Sequence, residues 1–327
     1  MEIQLIKEYP HEDVLFSMAK GDGCWFAAGV DRSIYQFGFG EDKLEEIKSW
    51  PAHASFVTGL VRAENRLVSV GYDRMMRSWN PESGDALKAI KAHEGWIRSL
   101  TVSPDSRWLA TTADDMVCSL WDAETLQRRH QLEGHEKQSP EGFSTMLYIS
   151  AFSSEGRFLA TADRIGRVVV WEVESGRPLA RIEAPEFYTF DRVQRNRSIG
   201  GIRALAFSPD SSELAVGGIG QVRNVDGFDG KVRIDRFDWQ NEVRTGGFES
   251  DRHKGIVEHL IYDKDYLLAT GGSGKGFFIV LNPLDGKVLA DPEAPMHVHE
   301  VALDSPQEIV GVGHKKIARW SVGTASV

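Results

Sequence analysis

The ten histidines are the side chains whose spacing could do chemistry in this 327-residue chain. His53 is followed by Asp73, and His93 by Asp115, the imidazole–carboxylate combination that general acid/base catalysis uses. Each pair comes with a hydroxyl, Ser69 or Thr111, and with a tryptophan, Trp79 or Trp121. A catalytic dyad is needed once. A set that recurs along the chain reads instead as a strand-linking network in which buried imidazole and carboxylate satisfy each other.

His297 and His299 stand at i, i+2 on an expected strand, so both face one side of a sheet, as two metal ligands would. His253 or His314 could complete such a set. That strand is expected near the rim, where solvated polar residues are ordinary. No carboxylate or cysteine follows at recognisable ligand spacing, so the expectation is no metal and no cofactor. Asp226 and Asp229 in VDGFDG lack the alternating oxygen ligands of a calcium loop. Asp229 is better read as a turn residue ahead of Asp235. The stretch Gly271–Gly276 resembles a phosphate loop in composition only, because Phe277–Leu281 after it reads as a strand and not as the helix such a loop requires.

What must position these residues is a repeat. Histidine stands four residues ahead of an apolar strand start at His11, His53, His93 and His253. The large third-strand residues Phe37, Trp79, Trp121, Trp171, Phe237, Leu281 and Trp320 recur at about 40–45 residues, with longer gaps after Trp121 and Trp171. Each unit splits into four short apolar runs divided by Pro, Asn, Asp and Gly, an all-β pattern without helical periodicity. A small sheet cannot bury both faces alone, so such units stack around an axis. After Trp320 too few residues remain for a fourth strand. Ile3–Tyr9 reads as that missing strand, closing the ring.

On these residues the chain resembles the WD-repeat (WD40) family over essentially its full length. The carriers are His93, Thr111, Asp115, Trp121 and Asp122, then His53, Ser69, Asp73 and Trp79, then Gly134-His135, Thr161, Asp163 and Trp171. The resemblance implies a seven-bladed β-propeller of four-stranded antiparallel blades. It spans 1–327 as one domain, with residues 2–9 completing the last blade. It also implies that His, Ser/Thr, Asp and Trp of one blade form a hydrogen-bonded chain. Ala27, Ser198 and Gly274 or Lys275 depart from the pattern, so those blades must rely on apolar packing.

A net charge of −10 and a pI near 5.5 disfavour general nucleic-acid binding, which needs a basic face. Cys24 and Cys118 read as free thiols of a reducing compartment. The start MEIQLIKEYPHED has no apolar run of signal-peptide length, and no stretch approaches a membrane span. The expectation is a cytoplasmic protein.

Three insertions carry the functional signal: 136–146, 184–201 and 217–228. In the family, the loops they occupy open on one face, so the resemblance implies that all three converge there. The second insertion holds Phe187, Tyr188, Phe190, Arg192, Arg195 and Arg197, with Arg203 just beyond, and the third holds Arg223 and Phe228. Aromatic and Arg residues are the commonest interface anchors. Tyr72, Phe56, Trp96 and Arg98 are expected around the central opening of the same face. The expected function is a non-catalytic scaffold that binds a protein or peptide partner of acidic or phosphorylated character. The alternative is a propeller hydrolase or lyase with a metal or acid/base site at the central channel.

Overall fold

A computed structural model describes residues 1–40, 43–193, 195–226 and 229–323. Phe228 therefore lies outside the described residues. The fold is an all-β propeller, and among the described residues the one helical element is a single 3-10 turn, Pro185–Phe187.

Short apolar strands joined by tight turns give antiparallel sheets in which sequence neighbours pair. Val57–Ala63, Arg66–Gly71, Met75–Trp79 and Ala86–Lys91 form one sheet. Ile97–Val102, Trp108–Ala113, Cys118–Asp122 and Arg128–Leu132 form the next. Leu147–Phe152 to Pro178–Glu183 and Ile202–Phe207 to Val243–Lys254 repeat the plan. The sheet from Ile256–Tyr262 gains a fifth, two-residue strand, Glu293–Ala294. Apolar side chains fill the space between successive sheets: Val70, Met76, Ile97, Leu109 and Trp121 share one such layer. Burial of this kind contributes roughly 1.5–3 kcal/mol for each large aliphatic or aromatic side chain.

Seven four-stranded sheets are expected from the repeat, and the structure corrects this to six large sheets: four of four strands, one of five and one of six. Glu2–Lys20 stays extended past Pro10 and joins the first and last sets of strands into one six-stranded sheet. Its first half, Glu2–Pro10, pairs with residues 316–323, and Leu15–Lys20 pairs with Trp25–Gly29. Residues 308–313 pair on their other side with Val298–Ser305. Start and end of the described chain are thus hydrogen-bonded to each other, with Ile3 and Tyr9 buried.

A second correction concerns 184–201, expected as a plain loop. It holds the 3-10 turn and a small hairpin, Tyr188–Asp191 with Arg197–Gly200.

Candidate functional site

The recurring His, hydroxyl, Asp and Trp meet within their own sheets. His53 Nε2 lies 2.8 Å from Ser69 Oγ, which accepts the Trp79 indole N–H at 2.9 Å. His53 Nδ1 lies 2.9 Å from the Asp73 carboxylate. His93 bridges Thr111, at 2.7 Å, and Asp115, at 3.1 Å, while Trp121 donates to Thr111 at 2.9 Å. His135, Thr161, Asp163 and Trp171 repeat the arrangement. Burial works against ionisation of Asp73, but His53, the Ala54 N–H and Arg77 hold its carboxyl well below the usual range. Burial also lowers the His53 imidazole, so the ring is neutral and structural at neutral pH. The sheet starting at Ile256 lacks this chain: His253 Nε2 meets the Asp291 carbonyl and its ring stacks on Phe277.

The innermost strands share another feature. Each has one register shift at its beginning, and the extra residue is Phe16, Thr58, Arg98, Tyr148, Arg203, Glu258 or His299. A bulge re-aims a side chain. All of these line one cavity of about 430 Å³ at the mouth of the channel.

Around that mouth the aromatic and cationic groups touch in sequence. Phe16 meets Phe56, Phe56 meets Tyr72, and Trp96 stacks on Tyr72 with centroids 4.8 Å apart. Arg98 lies over Tyr72, donates to its hydroxyl at 2.5 Å, and holds Asp114 through two bonds of 2.7 Å. Arg203 sits over Tyr148, 3.6 Å from the ring centre, and its buried Nε has no hydrogen-bond partner. The close packing here needs a residue without a side chain at Gly201 (φ +108), where a Cβ would stand 2.7 Å from the Tyr148 ring.

The three insertions meet one another. Tyr188 donates to Glu141 at 2.9 Å and Phe190 packs on Phe143, joining the first two. Gln221 donates to the Tyr188 carbonyl at 2.8 Å, joining the second to the third. The first also reaches the channel mouth, where Met146 contacts Arg98, and the second is tied to the turn after Asp163, where Arg164 donates to the Ser198 carbonyl.

Individual expected contacts fare differently. Tyr188 and Phe190 are half-buried, and Arg192 and Arg223 are exposed. Phe187 is corrected: it is fully buried against Gly218 and has no surface to offer a partner. Arg195 and Arg197 are both paired with Asp226, at 2.5 and 3.0 Å, so their charge is partly neutralised within the insertions. Asp226 is thereby an ion-pair partner.

Sequence reasoning grouped His297 and His299 with His253 or His314, and missed the carboxylate of Glu258, which joins the cluster at the same mouth. The ring of His297 stacks on those of His299 and His314, with centroids 4.6 and 4.7 Å apart, and the His299 and His314 rings lie tilted to each other at 5.0 Å. Glu258, from the neighbouring sheet, brings a carboxylate 3.4 Å from His297 Nε2. The donor atoms of Glu258, His297 and His299 all lie within 4.8 Å of one another. The expectation of a solvated rim is corrected: His297 is 8% exposed, and Nε2 of both His297 and His299 is buried without a hydrogen-bond partner. His253 is held elsewhere and does not join. The cluster was detectable in one respect, because Glu258 and His299 occupy the same position of the repeat.

The propeller, its recurring networks and its channel mouth have relatives. Residues 84–122 match the family model "WD domain, G-beta repeat", and the all-β propeller resembles the WD40 family. Apoptotic protease-activating factor 1 of Rattus norvegicus is 28% identical over 54% of this chain and 14% of its own length. Nuclear distribution protein PAC1-2 of Uncinocarpus reesii is 28% identical over 49% of this chain and 35% of its own. Nuclear distribution protein nudF of Aspergillus niger is 25% identical over 50% and 40% respectively. The matches thus span well under half the length of these relatives. Among the described residues no helix is long and apolar enough to cross a membrane.

Proposed function

We propose that this chain is a non-catalytic interaction scaffold whose insertion-bearing face binds a peptide or protein segment of acidic or phosphorylated character. The observation that carries the reading is the continuity of the three insertions with the aromatic and Arg side chains at the channel mouth. Trp96, 52% exposed and braced on Tyr72, has the rigid, partly uncovered form of an interface anchor. Phe56 and Phe143 are exposed on the same side, and Arg192 and Arg223 offer charge to an acidic segment. WD40 propellers are generally protein-interaction scaffolds, which supports the class but names no partner. Our reading takes 1–327 as a single domain. The free thiols Cys24 and Cys118 suit a reducing, cytoplasmic setting.

The test is partner capture with wild type, Trp96→Ala and Arg192→Glu/Arg223→Glu. All side chains changed are exposed, so the melting temperature should hold. Recovery of the same partners at the same yield by every variant would remove this face from consideration.

A further inference from the structure

We propose that Glu258, His297 and His299 form a binding site for a first-row divalent transition metal ion of the zinc class, at the mouth of the central channel. Two imidazoles and one carboxylate are the donor set with which proteins hold zinc while leaving a coordination position open. The three come from two adjacent sheets, through repeat positions that direct side chains inward.

The spacing suits an ion. Two neighbouring ligands of a tetrahedral zinc, each at roughly 2.0–2.1 Å, stand roughly 3.4 Å apart. That is the separation of Glu258 Oε1 and His297 Nε2, 3.4 Å. It is too long for a good charge-assisted hydrogen bond, and the His297 and His299 Nε2 atoms are left with no other partner. Buried polar atoms in a folded protein are normally satisfied, so two unpartnered ring nitrogens beside one carboxylate require an explanation, and a shared cation supplies it.

The backbone fixes the ligands. The His297 carbonyl accepts the His314 N–H at 3.0 Å, and Gly313 packs so closely beneath it that a Cβ there would lie 2.0 Å from that oxygen. The His314 ring stacks against His297 at 4.7 Å and limits its rotation. Protonation states agree with ligation. Burial pushes the His299 ring down to about 4, leaving it neutral. Burial opposes the Glu258 charge, but His297, His299 and Arg203 bring its carboxyl down to about 2, leaving it ionised. Metal ligands must be deprotonated in this way. The positive Arg203 works against a cation, yet its guanidinium lies over the Tyr148 ring.

The experiment uses the full chain without an affinity tag. Metal content is measured by elemental analysis after purification without chelator. Chelator-stripped protein is then titrated with Co²⁺ and followed by visible absorption. The expected results are about one equivalent of zinc per chain and a saturable Co²⁺ spectrum with nitrogen and oxygen ligation. Glu258→Gln and His299→Ala should each weaken Co²⁺ binding by roughly 100-fold or more, the scale set by loss even of groups that only support ligands. Glu258→Gln keeps the side-chain shape and carries the comparison if His299→Ala fails to fold. Wild-type protein with no stoichiometric metal and no saturable Co²⁺ spectrum overturns the proposal, as does an unchanged affinity in Glu258→Gln. The measurement involves no protein partner, so its outcome is separate from that of the capture experiment.

Discussion

The indole of Trp96 lies flat on the phenol ring of Tyr72, with their planes 11° apart. Arg98, two residues beyond Trp96, spans both rings and is itself fixed by Asp114. The stack is therefore held in place before any partner arrives, which lowers the ordering cost of binding.

Trp96→Ala should weaken capture of a partner by about 2 kcal/mol or more, the scale of an interface hot spot. Folding stability should change by less than about 0.5 kcal/mol, as for an exposed surface position. Titration calorimetry with a recovered partner and urea unfolding of the free chain measure the two quantities. Equal affinity of variant and wild type would show that the stack is only packing.

Thr111 receives the Trp121 indole N–H and meets His93 Nε2, all buried. Thr111→Val keeps the volume but strands both groups, at about 1–3 kcal/mol for each buried polar group left unsatisfied. Urea denaturation should register this as a lower midpoint at unchanged slope. An unchanged midpoint would mean that the network adds nothing to stability.

Glu300 is enclosed beside Ser17 and accepts the Met18 N–H at 2.9 Å. Burial, against those bonds, pushes its carboxyl up to about 7 from the ordinary 4.5. A raised folded-state value means that its contribution is fully present below pH 4.5 and is lost as pH rises through 7. Glu300→Gln should therefore be more stable than wild type at pH 8, on the order of 3 kcal/mol, and the advantage should vanish by pH 4.5. Buried His259, lowered to about 4, acts oppositely: its contribution is lost as pH falls from 6.5 towards 4. Comparing melting of variant and wild type at each pH cancels that common effect. An advantage that is the same at both pH values would refute the assignment.

Removing residues 1–10 should expose the edge at 316–323 and uncover the Ile3 and Tyr9 layer. Lost burial costs roughly 1.5–3 kcal/mol per large side chain, and an open edge invites association. Urea unfolding and light scattering at matched concentration follow both effects. A monomer with the wild-type midpoint would show the terminal pairing to be dispensable.

The repeat was legible because His, Ser or Thr, Asp and Trp recur at fixed offsets, and the strands at 57–132 fall where those offsets put them. Continuity of strand from Glu2 to Lys20 was not legible: Pro10 reads as a break, yet at the end of a pairing it only withholds a hydrogen bond. The hairpin at Tyr188–Gly200 hid behind a stretch rich in charge. Phe187 looked like a docking aromatic because composition gives the residue type and not the direction of the side chain. Glu258 was overlooked for a different reason. It lies 39 residues before His297 in the chain, and only the stacking of sheets brings them together.

The pairing of Glu2 with Gly323 gives assembly of this ring an order in time. Segments made early in translation find their partner only when residues 316–323 emerge, so until then Ile3–Pro10 is an unpaired, apolar-bearing edge. Closing the ring is then a long-range pairing of Glu2–Pro10 with residues 316–323. Its rate should limit how fast functional rings accumulate, whatever the stability of the sheets between.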